Sequence, residues 1–224
     1  MKHMINAIAL VTTLVFVGQL SATTINWGVA QNSTAATDVL NTGTTVDAIN
    51  ATSTGNVGSV TVNGVTFTNS SILPNNTGSS FLVGNTTGDA NYDALLDTLD
   101  FGGGTATSIN VGAGSLVAGN DYSIQVWFTD LRSCCSNRTM TYGDGMGNTV
   151  NVHASLGGLG QYAIGTFTAG GTSQTLSLTT NNFGNAHISA YQVRETPPVI
   201  PEPATAMLGL IAVGGLAMRR HRVV

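Results

Sequence analysis

Hydrophobic and polar positions alternate through most of this chain, and the alternation predicts strands. Val60, Val62, Val65 and Phe67 flank Asn63-Gly64, the residue pair that best suits a type I′ turn, so this segment reads as a tight hairpin. Ile124, Val126 and Phe128 alternate with Gln125, Trp127 and Thr129 in the strongest strand of the chain. Val150 and Val152 alternate with Asn151 and His153, and further strands are expected over 162–168, 175–179 and 187–193. One short helix is expected over 92–99, with Leu95, Leu96 and Leu99 packing inward and Asp93 and Asp97 facing water. Gly, Asn and Asp clusters separate these runs. The pattern predicts an all-β domain folded as a two-sheet antiparallel sandwich with one short helix. No fixed-period repeat is visible, which argues against a solenoid.

Two stretches are instead continuously apolar. Residues 5–17 follow Lys2 and His3 and precede the small residues Gly18, Ser21 and Ala22, the layout of a secretory signal peptide over residues 1–22. Residues 204–218 lead into Arg219, Arg220, His221 and Arg222. As a helix those 15 residues would span about 22 Å. That is short of the roughly 20 residues that cross a bilayer core comfortably. Thr205, Gly209, Gly214 and Gly215 weaken the segment further, so it suits a temporary membrane anchor. The arginines should stay cytoplasmic, leaving everything before Pro201 outside. Pro201 and Pro203 bracket Glu202 and resist helix, which makes that stretch extended and accessible. The expected organisation is therefore signal peptide 1–22, β-sandwich 23–195, linker 196–203, C-terminal hydrophobic helix 204–218 and basic tip 219–224. The itinerary is export, anchoring through the C-terminus, then the cell surface or extracellular space.

The Pro201-Glu202-Pro203 motif, the apolar run and the Arg219, Arg220 and Arg222 tip together resemble the PEP-CTERM sorting signal of exported bacterial proteins. The resemblance implies an exosortase-type transpeptidase as partner, cutting near the motif. The competing reading is an ordinary short anchor that is not cleaved. A second resemblance covers roughly residues 24–195. The order NYDALLDTLDFGGG, AGNDYSIQVWFTDLR, YGDGMGNTV, YAIGTFTAGGTSQTLSL, ISAYQVR is similar to exported jelly-roll domains of galactose-binding-like fold. It implies a jelly-roll sandwich of the kind used by carbohydrate-binding modules; a fold by itself transfers no activity.

Composition supports the β reading. Gly (28), Thr (32) and Asn (20) together favour strands joined by tight turns. About 175 residues between the two signals suffice for one buried core. Charge narrows the partners. Residues 23–195 hold three arginines, no lysine and ten acidic residues, a net charge of about −7. Such a surface repels nucleic acid and anionic lipid and counts against phosphate binding.

Candidate chemistry is sparse. Only His153 and His187 lie between the signals, no Gly-x-Ser-x-Gly elbow is present, and Glu195 is the sole glutamate before the tail. An enzyme is not expected. Asp89, Asn91 and Asp93, with Asp97 and Asp100 following, match the offsets of a calcium loop, but Ala94 stands where the turn glycine belongs. The alternative is that Asp89 or Asn91 caps the helix. Asp144, in the turn Asp144-Gly145-Met146-Gly147-Asn148, is a second place where calcium could bind. No motif calls for any other cofactor. Cys134 and Cys135 are adjacent and, in an exported protein, bridge each other, remain thiols or bond to another chain. Trp127 points away from Ile124, Val126 and Phe128. If it faces outward, its ring could stack on a sugar, with Asp130, Arg132 and Arg138 bonding hydroxyls. If a loop covers it, Asp130 pairs with an arginine structurally. Two functions follow: a surface module binding extracellular polysaccharide, or a structural matrix protein without a specific ligand.

Overall fold

A computed structural model describes residues 23–52, 58–76, 80–112 and 114–197. The expected signal peptide, the Pro-Glu-Pro motif, the 204–218 run and the basic tip lie outside these residues. Among the described residues no helix is long and apolar enough to cross a membrane.

The chain is mostly strand. In order it forms β1 (Asn26–Trp27), β2 (Gln31–Asn32), β3 (Thr44–Ala51), β4 (Val60–Val62), β5 (Val65–Ser70) and β6 (Asn75–Asn76). Then come α1 (Ala90–Leu96), β7 (Asp100–Gly102), β8 (Ala106–Val111), β9 (Asp121–Phe128), β10 (Thr139–Gly143) and β11 (Thr149–His153). The last four strands are β12 (Gln161–Thr168), β13 (Gln174–Thr180), β14 (Ala186–Ile188) and β15 (Ala190–Glu195). The large sheet runs β1-β12-β9-β15-β3-β5-β4, with β2 also on β12. A second sheet runs β11-β10-β13-β8, and a third, small one runs β14-β7-β6. The expected hairpin is β4–β5: Val62 pairs with Val65, and Asn63 and Gly64 both have positive φ (47° and 78°), as a type I′ turn requires.

The main core lies between the large and four-stranded sheets. Ile124, Val126 and Phe128 of β9 meet Met140, Tyr142, Val152, Leu176 and Leu178 from the facing sheet. The opposite face of β9 is buried too. Trp127 joins a second cluster with Phe67, Val62, Tyr92, Leu95 and Leu96, where α1 and the hairpin cover the large sheet. On that same face Gln125 is buried under the segment carrying Asp38 and Leu40: its amide donates to the Asp38 carbonyl at 2.7 Å and accepts from the Leu40 amide at 2.9 Å.

Four expectations change in detail. The architecture has a third sheet, so two sheets do not account for all the strands. The pairing of β3 with β5 is parallel, against antiparallel ladders elsewhere. The strand read over 187–193 is two strands, β14 in the small sheet and β15 in the large one. The break is at Ser189, whose amide donates to Trp127 O and whose hydroxyl accepts from the Thr129 amide. Finally, α1 ends at Leu96 with Asp97 as its C-cap, and the Asp97 carboxylate, expected to face water, takes a backbone amide. Asp97 accepts from Leu82 at 2.7 Å, and Asp100 from Ile72 and Leu73.

Candidate ligand-binding site

Strand β9 delivers its last residues to one end of the domain. Asp130, two residues beyond it, is fully buried and accepts three charge-assisted hydrogen bonds. Arg132 donates through Nε and Nη2 (2.8 and 2.9 Å), forming a two-pronged pair, and Arg138 donates through Nη1 (3.0 Å). The two guanidiniums remain partly open, with side-chain exposures of 41 % and 21 %. Each also lies over an aromatic ring, Arg132 over Phe81 at 4.6 Å and Arg138 over Phe183 at 4.7 Å.

The loop between the arginines fixes their spacing. Cys135 N–H donates to Arg132 O, and Arg138 N–H donates to Cys135 O, two successive turns sharing Cys135. Cys134 and Cys135 are bridged by a disulfide. The bridge therefore constrains the residue to which both arginine backbones are tied.

The small sheet supplies the opposite wall. His187 on β14 pairs in register with Phe101 on β7, and their rings stack at 5.5 Å. Arg138 Nη1 lies 3.1 Å from His187 Nε2, and His187 Nδ1 lies 2.7 Å from Asn185 O. An arginine can only donate and a carbonyl can only accept, so the imidazole is neutral with its proton on Nδ1. Burial pushes His187 down to about 4, with the bond to Asn185 opposing and the adjacent Arg138 adding to the effect. The hydrogen bond to Asp130 holds Arg132 above its ordinary value. Burial lowers Arg138, with Asp130 opposing.

Between these walls is a concavity of about 270 Å³, lined by Phe81, Phe101, Phe183, Arg132, Arg138 and His187 among others. That is just below the roughly 300 Å³ at which small-molecule sites begin, so it has room for one ring-sized unit. A larger groove of about 720 Å³ sits at the far end of β9, beside Asp121, Thr23 and Thr196. Among the described residues its only charged one is Asp121, and it adjoins the two ends of the described domain.

The expected site residues thus separate into one assembled group and several structural ones. Asp130, Arg132 and Arg138 come together. Trp127 does not join them: it is fully buried, its indole N–H donates to Tyr92 OH at 3.1 Å, and Phe67 packs edge-on against it. It has no ring face to offer a sugar, because α1 and the hairpin occupy that side of β9. Asp89 is the N-cap of α1, accepting from the Asn91 and Tyr92 amides, while the Asn91 side chain donates to Thr61 O. Burial acts to raise Asp93, but donors from Thr86 and Thr87 outweigh it and hold its carboxyl below the usual range. Asp144 is likewise held low, against the upward effect of burial, by Asn148 and by the Met146 and Ile25 amides. Both carboxylates are spent on tying loops. No group of three or more metal-ligating side chains is found among the described residues.

The sequence reading missed Phe81, Phe101, Phe183 and His187. One signal was available: Phe183 is the lone aromatic in the polar turn Asn181-Asn182-Phe183-Gly184-Asn185. Comparison of the chain with protein-family models, curated proteins and solved structures finds no match.

Proposed function

We propose that this is an exported surface or extracellular-matrix protein whose β domain, a jelly-roll sandwich, binds extracellular carbohydrate in the pocket beside Asp130. The observation that carries the reading is the pocket itself. Partly exposed Phe101 and Phe183 offer apolar surface, and two guanidiniums held by a buried carboxylate offer fixed donors. Sugars present apolar C–H faces and hydroxyl acceptors, which this pairing complements.

The pocket's position suits a surface module. Strand β9 has eight residues, so its ends lie about 24 Å apart. The Asp121 end carries Thr196, whose amide bonds Asp121 O, and from there the chain continues towards Pro201. The pocket is at the other end of β9. In this account the Pro201-Glu202-Pro203 tail and Arg219, Arg220 and Arg222 direct the protein to an exosortase-type transpeptidase.

A structural matrix role has one observation in its favour. The outer face of the four-stranded sheet is an uncharged ladder of Thr141, Asn151, Thr175, Ser177 and Thr179, suited to packing without a specific ligand. A glycan array probed with the full-length protein in mild detergent separates the two. Saturable binding that Arg138→Gln abolishes, with folding retained, supports recognition. An array with no bound glycan, including the producer's own exopolysaccharide, favours the matrix role. Blocking export processing is the parallel test of the tail: Pro201→Ala with Glu202→Ala should leave the protein in the membrane fraction, and unchanged release would rule out the motif.

A further inference from the structure

We infer that the ligand of this pocket is an acidic sugar, its carboxylate seated on Arg132 and Arg138 and its ring face against the Phe101 and Phe183 wall. The inference rests on the carbohydrate reading and narrows it to uronate-type units.

The first argument is the location of positive charge. Between residues 23 and 195 the only cationic side chains are Arg132, Arg138 and Arg194. Arg194 is buried and spent: its guanidinium donates to the carbonyls of Asn41, Thr42 and Gly43 and to the Thr45 hydroxyl. Both remaining arginines line this single concavity. Asp130 cancels one of their charges and His187 is neutral, so the pocket carries about one net positive charge inside a domain of about −7. A site that merely hydrogen-bonded hydroxyls would have no need of this excess.

The second argument is the supply of unused donors. Asp130 takes Nε and Nη2 of Arg132 and Nη1 of Arg138, and His187 shares the latter. Among the described residues no acceptor is found for Arg132 Nη1 or for Arg138 Nε and Nη2. The free edge of Arg138 is therefore the Nε–Nη2 fork, the geometry that takes both oxygens of a planar carboxylate. Contrast with Arg194 is instructive, since there the fold itself supplies acceptors to the guanidinium. The buried Asp130 and the ring stacking hold both cations in place before a ligand arrives, so less side-chain freedom is lost on binding.

The third argument is size and wall chemistry. About 270 Å³ admits one ring with its carboxylate. Partly exposed Phe183 and Phe101 add apolar surface beside it.

The test uses full-length protein in mild detergent and titration calorimetry against four probes: oligogalacturonate, its carboxyl-reduced neutral counterpart, a sulfated galactan and sodium acetate. Oligogalacturonate should bind at least about tenfold tighter than the reduced form, a gap of about 1.4 kcal/mol. The preference should shrink as salt rises from about 0.05 to about 0.5 M, because the screening length shortens from above about 10 Å to a few Å and the exposed arginines are screened. Arg138→Gln should lose the preference, and Arg132→Gln, at the more open position, provides a second variant should the first not fold. The comparison of charged and reduced probes needs no variant at all. Equal binding of both forms overturns the inference while leaving carbohydrate recognition intact. Binding of no saccharide overturns both. Sulfated galactan equalling oligogalacturonate, or acetate equalling it, overturns the uronate assignment.

Discussion

Acidification should destabilise the domain through one imidazole. His187 is 4 % exposed, accepts from Arg138 and donates to Asn185 O, an arrangement available only to the neutral ring. Charging it would place a cation beside Arg138 and Arg132, with Asp130 the one opposing charge at hand. Its value falls from 6.5 unfolded to about 4 folded. Between those limits the unfolded chain binds the extra proton, so stability rises with pH there and is lost as pH drops from about 6.5 to about 4. At 1.36 kcal/mol per pH unit the loss approaches about 3 kcal/mol. Urea unfolding of the wild type and His187→Gln at about pH 7, 5.5 and 4 isolates this contribution, because carboxylate protonation is common to both proteins. Glutamine can still accept from Arg138 and donate to Asn185, but it cannot titrate. The wild type should lose about 3 kcal/mol more than the variant over that range. Parallel stability curves would show that His187 is solvated or already charged, and would refute the tautomer assigned to the pocket.

Other consequences are equally direct. Asp130→Ala should cost roughly 2–4 kcal/mol, since it strands two guanidiniums that now share a buried partner, the more open Arg132 contributing least; chemical denaturation measures it. Asp89→Ala removes the cap that receives the Asn91 and Tyr92 amides and should cost about 1 kcal/mol without touching ligand binding. Cys135→Ser, or reduction of the bridge, should weaken ligand binding several-fold with little loss of global stability, because Cys135 ties both arginine backbones. Gly160→Ala should destabilise strongly: φ there is +81° and an added Cβ would stand 2.5 Å from Phe128 O.

Local signals in the sequence carried far, and long-range ones did not. Asn63-Gly64 specified its hairpin because the turn is encoded in two residues. The β9 alternation correctly separated Ile124, Val126 and Phe128 from Trp127. It could not say that both faces are covered, since the cover over Trp127 comes from α1 and the hairpin, more than 30 residues upstream. Alternation likewise reads 187–193 as one strand, and only the Ser189 contacts with Trp127 and Thr129 show the switch between sheets. Strands β6 and β7, two and three residues long, are too short for any periodicity. The candidate site divides the same way. Asp130, Arg132 and Arg138 sit within nine residues and were legible as a group. His187 and Phe183 arrive from some 50 residues later by way of the small sheet. Net charge is a domain average, and −7 does not show that Arg132 and Arg138 line one pocket.

Hydrogen–deuterium exchange of the full-length protein, with and without saturating exopolysaccharide from the producing cell, tests the central claim most directly. Binding beside Asp130 predicts slowed exchange at the amides of 131–138 and 183–187, with the groove around Thr23, Asp121 and Thr196 unchanged. Protection of that groove, or of the threonine-rich outer sheet, with none around Asp130 would contradict it.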